Sequence, residues 1–100
     1  MSEKILSLDD IQKIVTPLAE KYHISEVYIF GSYARNEATA NSDIVFLVFG
    51  GEGFRLTSVF AFAEELRMMI QKEIDVFEIN EVNENSQFYK TIMREKLKVA

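Results

Sequence analysis

The sequence contains no cysteine. Disulfides and thiolate metal sites are therefore excluded, and a reducing compartment such as the cytoplasm suits the chain. Positive charge is also short: 11 Lys and Arg stand against 16 Asp and Glu, for a net charge of −5. Broad binding to nucleic acid needs a basic face, so that class is disfavoured. A single nucleotide is not excluded, because a metal ion can neutralise its charge. No apolar run approaches the roughly 20 residues of a membrane span. Met1-Ser2-Glu3-Lys4 lacks the apolar core of a signal peptide. Repeats, low-complexity tracts and interdomain linkers are missing too. What remains is ordinary globular material: 100 residues, 48% hydrophobic and 27% charged, which predicts one small domain over 1–100.

Ser7-Leu8-Asp9-Asp10 places an acid three residues after a serine, a variant of the helix-start pattern. Ile11, Ile14, Val15, Leu18, Ala19 and Tyr22 recur at helical spacing and predict a first helix over about 8–22. Pro17 falls inside it and predicts a kink or a local break in the hydrogen-bond ladder. His23 reads as a surface or capping residue, with no partners that would make it catalytic. Residues 27–30, β-branched and aromatic, are the first predicted strand, and 43–49 the second. On the second, Asp43, Val45, Leu47 and Phe49 share one face; Ile44, Phe46 and Val48 share the other. Both faces are apolar beyond Asp43, which predicts a central strand covered on both sides.

After the turn at Gly50, Gly51 and Gly53, the residues Leu56, Val59, Phe60, Ala63, Leu66 and Ile70 form the stripe of a second helix over about 55–71. Met68 and Met69 are expected to fill core gaps. Residues 74–79 read as a third strand, 81–86 as a polar loop, and 87–97 as a last helix carrying Phe88, Ile92 and Leu97. This order predicts an α/β fold, a small mixed β-sheet with flanking helices. The short loop between the first two strands suits antiparallel pairing, and the strand–helix–strand unit after it suits a parallel pair.

The chemistry concentrates in two stretches. Ile29-Phe30-Gly31-Ser32-Tyr33-Ala34-Arg35-Asn36 takes a hydrophobic run into Gly-Ser. Ten residues separate Ser32 from Asp43, which opens the run Ile44-Val45-Phe46-Leu47-Val48. Gly31 lets the backbone approach a phosphate closely, and Ser32 offers a cap and a hydroxyl. Asp43, at the mouth of the second strand, is a candidate metal ligand. So is Asp75, within Glu73-Ile74-Asp75-Val76-Phe77 at the start of the third. Taken singly, Asp43 is also readable as a cap, Asp75 as a solvated strand-end acid, and Arg35 as half of a surface ion pair with Glu37 or another acid. The joint pattern is the specific one.

That pattern resembles the signature of the DNA polymerase beta superfamily of nucleotidyltransferases: Gly-Ser, ten residues, Asp, one residue, Asp. It matches at Gly31, Ser32 and Asp43 and departs at Val45, where the signature has its second Asp. Length and motif look most like the minimal nucleotidyltransferases, the antitoxin half of HEPN/MNT toxin–antitoxin pairs, over nearly the whole chain. The resemblance implies the nucleotidyltransferase fold, ATP as substrate and two Mg2+ ions held by carboxylates, with Asp43 and Asp75 as catalytic and metal-binding residues. It places Gly31 and Ser32 at the nucleotide phosphates and Arg35 as a phosphate clamp. It implies a HEPN toxin as partner, one of whose tyrosines receives AMP, and leaves homo- and hetero-oligomers open. Valine binds no cation, so Val45 predicts a weakened metal site and impaired transfer, each ~1.4 kcal/mol of lost stabilisation being worth tenfold in rate. Two further readings stand beside this one: a binding module that neutralises its partner by contact alone, and a sensor that still binds ATP.

Overall fold

In the computed structural model, residues 6–31, 33–35 and 43–100 are described. Helix α1, Leu8–Lys21, begins where the serine pattern predicts: the Ser7 hydroxyl accepts from the Asp10 amide and the Asp10 carboxylate accepts from the Ser7 amide, which satisfies two orphan donors. Its buried face is Ile11, Val15, Leu18 and Ala19. The helix runs on through Pro17, and the expected break is confined to the one ladder bond that a residue without an N–H cannot make. Pro17 is exposed, so water can reach the carbonyl whose partner it removes.

Strand β1, Ile24–Phe30, runs antiparallel to β2, Ile44–Gly50. Helix α2, Ser58–Ile70, then returns the chain to β3, Ile74–Glu78, which lies parallel to β2. A single 3-10 turn, Ile79–Glu81, leads to α3, Gln87–Glu95. The predicted last helix stops short of Leu97. Leu97–Lys98 forms instead a two-residue strand, β4, antiparallel to β1, and the strand order is β3-β2-β1-β4. So short a strand carries no readable period. Its placement comes from β1, whose outer edge would otherwise be unpaired: the Val27 amide donates to the Ala100 carbonyl, and the Val99 amide to Val27.

The sheet separates two apolar clusters, as the alternation in β2 predicts. Ile44, Phe46 and Val48 pack with α1 and α2 on one face. Leu47 packs on the other with Phe30, Val82 and Ile92 of α3, and Val45 and Phe49 lie against that cluster. Within α2 the buried residues are Phe62, Leu66 and Ile70. Phe62 replaces Phe60 in the predicted stripe. Phe60 is 78% exposed, and Leu56, in the turn before the helix, 64%. With apolar residues nearly all round the helix, periodicity offered two stripes, and contact with the sheet selected one. Met68 and Met69 are exposed and fill no core gap. Helical spacing puts Met68 off the face shared by Phe62, Leu66 and Ile70, and Met69 at the edge of that face, in the last turn of the helix.

Helices α1 and α2 are latched at their surface. Glu65 accepts from Lys21 Nζ at 2.8 and 2.9 Å and from the Tyr22 hydroxyl at 2.9 Å. Beneath it the Tyr22 ring meets Phe62 edge-on at 6.5 Å. The Lys21 ammonium, then the Tyr22 hydroxyl, hold the Glu65 carboxyl below its usual range. A lowered folded value makes the latch fully stabilising above the unfolded carboxyl pKa, and the stabilisation is lost as pH falls through the folded value. The thermal midpoint of the parent should therefore exceed that of Glu65→Gln at neutral pH, with the gap closing as the solution is acidified. A gap independent of pH would show that charge is not what the latch contributes.

Candidate functional site

The candidate site is the end of the sheet where β1 stops and β2 and β3 begin. At the close of β1, Gly31 has φ +85°, and a Cβ there would meet nothing within 4 Å. Glycine is needed for the backbone angle, not for space. The Arg35 amide donates to the Gly31 carbonyl at 3.1 Å and closes the turn. Tyr33 drives its ring into the α1/α2-side core, and its buried hydroxyl has no hydrogen-bond partner among the described residues. Ser32, a predicted nucleotide ligand, and residues 36–42 lie outside the described residues.

Asp43 is exposed and directly precedes β2. The Ile44 amide donates to the Glu73 carbonyl at 3.3 Å and opens the ladder with β3. In that ladder Val45 is the register partner of Asp75, and in the other Val45 pairs with Phe30. Register partners turn their side chains to one face, so Phe30, Val45 and Asp75 form a row across the sheet. Asp43, two positions before Val45, stands at the same strand end. The fold thus gathers Gly31, Asp43 and Asp75 at one end, with Asp75 exposed. His23 lies at the other end, where its carbonyl accepts from the Gly51 amide.

Arg35 is tied to α3: its Nη1 donates to Glu95 Oε1 at 2.9 Å. The ion-pair reading of Arg35 thus holds, with Glu95 as an acid. Sixty residues separate the two in sequence, and no local pattern marks the pair. Sequence reading also missed a groove of about 450 Å³ between α2 and β3, whose lining includes Phe60, Val76 and Asp75.

The donor set bears directly on a metal. Among the described residues no cluster of three His, Cys, Asp or Glu side chains is placed to hold one. Val45 is half-buried against the α3-side cluster and contributes no oxygen. Two carboxylates do not make a protein cage for two ions. They do fit one magnesium ion, which takes one or two carboxylates and keeps its other positions for water and phosphate oxygens.

A strand ending in a glycine turn and acids opening the next two strands thus meet at one end of an α/β sheet. The family described as polymerase beta, nucleotidyltransferase matches residues 12–99, and the chain belongs to that family. Protein adenylyltransferase MntA of Thermococcus cleftensis is 30% identical over 95 residues, which span 91% of this chain and 94% of that protein. A solved structure described as a toxin–antitoxin with AMP-PNP aligns with a TM-score of 0.73 at 15% identity, over 89% of this chain and 72% of that one. A chain of a solved complex described as tri-AMPylated Shewanella oneidensis HEPN toxin with MNT antitoxin aligns with a TM-score of 0.68 at 13% identity, over 93% of this chain and 71% of that one. The two structures are alike in fold: the small mixed sheet with flanking helices is that of the minimal nucleotidyltransferases.

The orphaned hydroxyl beside the turn gives a test. Tyr33→Phe removes a buried hydroxyl that has no hydrogen-bond partner among the described residues, so the thermal midpoint should stay level or rise by the equivalent of about 1 kcal/mol. A clear drop in the midpoint would show that the hydroxyl has a partner.

Proposed function

We propose that the chain is a single-domain antitoxin of the nucleotidyltransferase fold that transfers AMP from ATP to a tyrosine of a partner HEPN toxin in the cytoplasm. The observation that carries this is the shared register row: β2 and β3 present Asp43 and Asp75 at one sheet end, beside the Gly31 turn. The name of the Thermococcus relative and the AMPylated toxin beside the Shewanella antitoxin support it. The lack of cysteine suits the cytoplasm, and among the described residues no helix is long and apolar enough to cross a membrane.

In this reading the Gly31 and Ser32 turn receives the β- and γ-phosphates, because free amides after a glycine turn are anion-binding groups. Arg35 leaves or shares Glu95 to clamp a phosphate oxygen. The acceptor phenol oxygen bonds to the α-phosphorus, the bond from that phosphorus to the bridging oxygen breaks, and pyrophosphate departs. The single phenol proton passes to one of the two carboxylates, Asp43 or Asp75. Asp43 and Asp75 would hold magnesium, which would supply charge neutralisation when bound.

Val45 favours a second reading, an antitoxin that acts by contact alone. It stands where the family signature has a carboxylate, yet packs against an apolar cluster. A labelled-ATP assay with one partner preparation and fixed magnesium compares the parent with Val45→Asp. The third carboxylate should raise transfer by about tenfold or more and tighten magnesium binding measured by calorimetry. It should also cost about 1–3 kcal/mol of stability, from a half-buried charge near two others. Equal transfer by both forms would show that the carboxylate is dispensable. No transfer by either form would favour the contact reading.

A further inference from the structure

The outer edge of β3 is the surface that the proposed chemistry leaves unused. β3 is the last strand of the sheet, and among the described residues no strand pairs with its far side. Because the Glu73 carbonyl accepts from β2, alternation turns the main-chain groups of Ile74, Val76 and Glu78 outward. Two of these positions are guarded from within. Arg67 Nη2 reaches the Ile74 carbonyl at 3.5 Å, and Glu81 Oε1 accepts from the Glu78 amide at 2.8 Å. Between them Val76 offers one N–H and one C=O, a window one residue wide.

Against this window lies the groove of about 450 Å³. Phe60 and Leu56, 78% and 64% exposed, are its most exposed apolar walls. Single exposed apolar residues are unremarkable. Here two of them flank a cavity beside an open strand edge. The charge there is one-sided: the lining holds Asp75, Glu78 and Glu81 against Arg67, which already pairs with Glu64 at 3.4 Å. Glu78 is buried with both oxygens held by Asn80, so the acids a ligand meets are Asp75 and Glu81, both exposed. A second copy would set this acidic rim against itself, in a chain of net charge −5. A cationic partner is complementary to it.

We infer that the groove takes an extended segment of a partner protein. The segment inserts a bulky apolar side chain against Phe60 and Leu56, pairs with Val76 as one added strand residue, and presents flanking Lys or Arg to Asp75 and Glu81. Asp75 belongs to both the rim and the candidate site, so an occupant of the groove adjoins the place of transfer. Assigning the segment to the AMP acceptor rests on the transfer reading. The preference for a basic, apolar segment does not.

The test titrates the isotope-labelled whole chain with a short synthetic peptide of alternating Lys and Leu, and with its Glu-for-Lys counterpart, while amide shifts and hydrogen exchange are followed. The Lys peptide should shift and protect the Val76 amide, and the Glu peptide should not. Phe60→Ser and Leu56→Ser, both at exposed positions, should each weaken binding about tenfold. Met69→Ser, outside the groove lining, should leave binding unchanged. A silent Val76 amide, equal binding of both peptides, or a Phe60→Ser chain that binds as the parent does would overturn the inference. So would a concentration-dependent Val76 shift without peptide, which assigns the groove to a second copy. With purified toxin and labelled ATP, Phe60→Ser should raise KM for the toxin and leave ATP affinity alone. Peptide binding without any transfer, even by Val45→Asp, sinks the transfer reading and spares the groove. Transfer with unchanged KM in Phe60→Ser, in a chain that binds no peptide, does the reverse.

Discussion

β2 is hydrogen-bonded on both sides, antiparallel to β1 and parallel to β3, and the candidate site takes its shape from that double register. The row Phe30, Val45, Asp75 exists because both pairings align on Val45. A one-residue slip between β2 and β3 would turn Asp75 toward α1 and α2 and send apolar residues to the other face. The register is held by burial on both faces of the strand: Ile44, Phe46 and Val48 on one side and Leu47 on the other are fully buried. The core therefore positions carboxylates that it does not touch.

The two edges of the sheet are treated differently, and the difference has a physical origin. β4 covers the β1 edge with two residues and the main-chain bonds of the last two, and Val99 is buried as a result. The β3 edge has, among the described residues, a guanidinium at Ile74 and a carboxylate at Glu78. Exposed strand edges invite pairing, and side-chain guards are one way to limit it. Guards at alternate positions leave the residue between them open, so the same device that discourages a long added strand admits a short one.

Val45 answers to packing and to chemistry at once. It sits half-buried on the α3 side with Phe30 and Leu47 beside it, as a β-branched strand residue should. The family signature asks for a carboxylate at the same place. Fold and catalysis are separable here because the site lies at the exposed strand end, where one side chain can change without altering the register beneath it. This is why the fold is that of the minimal nucleotidyltransferases while the donor set is one carboxylate short.

Elements with a strong local signal were legible before the structure. The capping pattern at Ser7 placed the start of α1, alternation in β2 assigned its two faces, and the motif residues Gly31, Asp43 and Asp75 pointed to one end of the sheet, where the fold gathers them. Elements decided by contact were not. Helix α2 carried two apolar stripes, and only the sheet chose Phe62 over Phe60. β4 is two residues long and exists because β1 has an edge to satisfy. Glu95 meets Arg35 across sixty residues of sequence, a distance over which no periodicity speaks. Sequence by itself determined which residues are the candidates for chemistry and how the sheet strands alternate. Tertiary structure decided which faces meet, because burial is a property of the assembled chain and not of any segment within it.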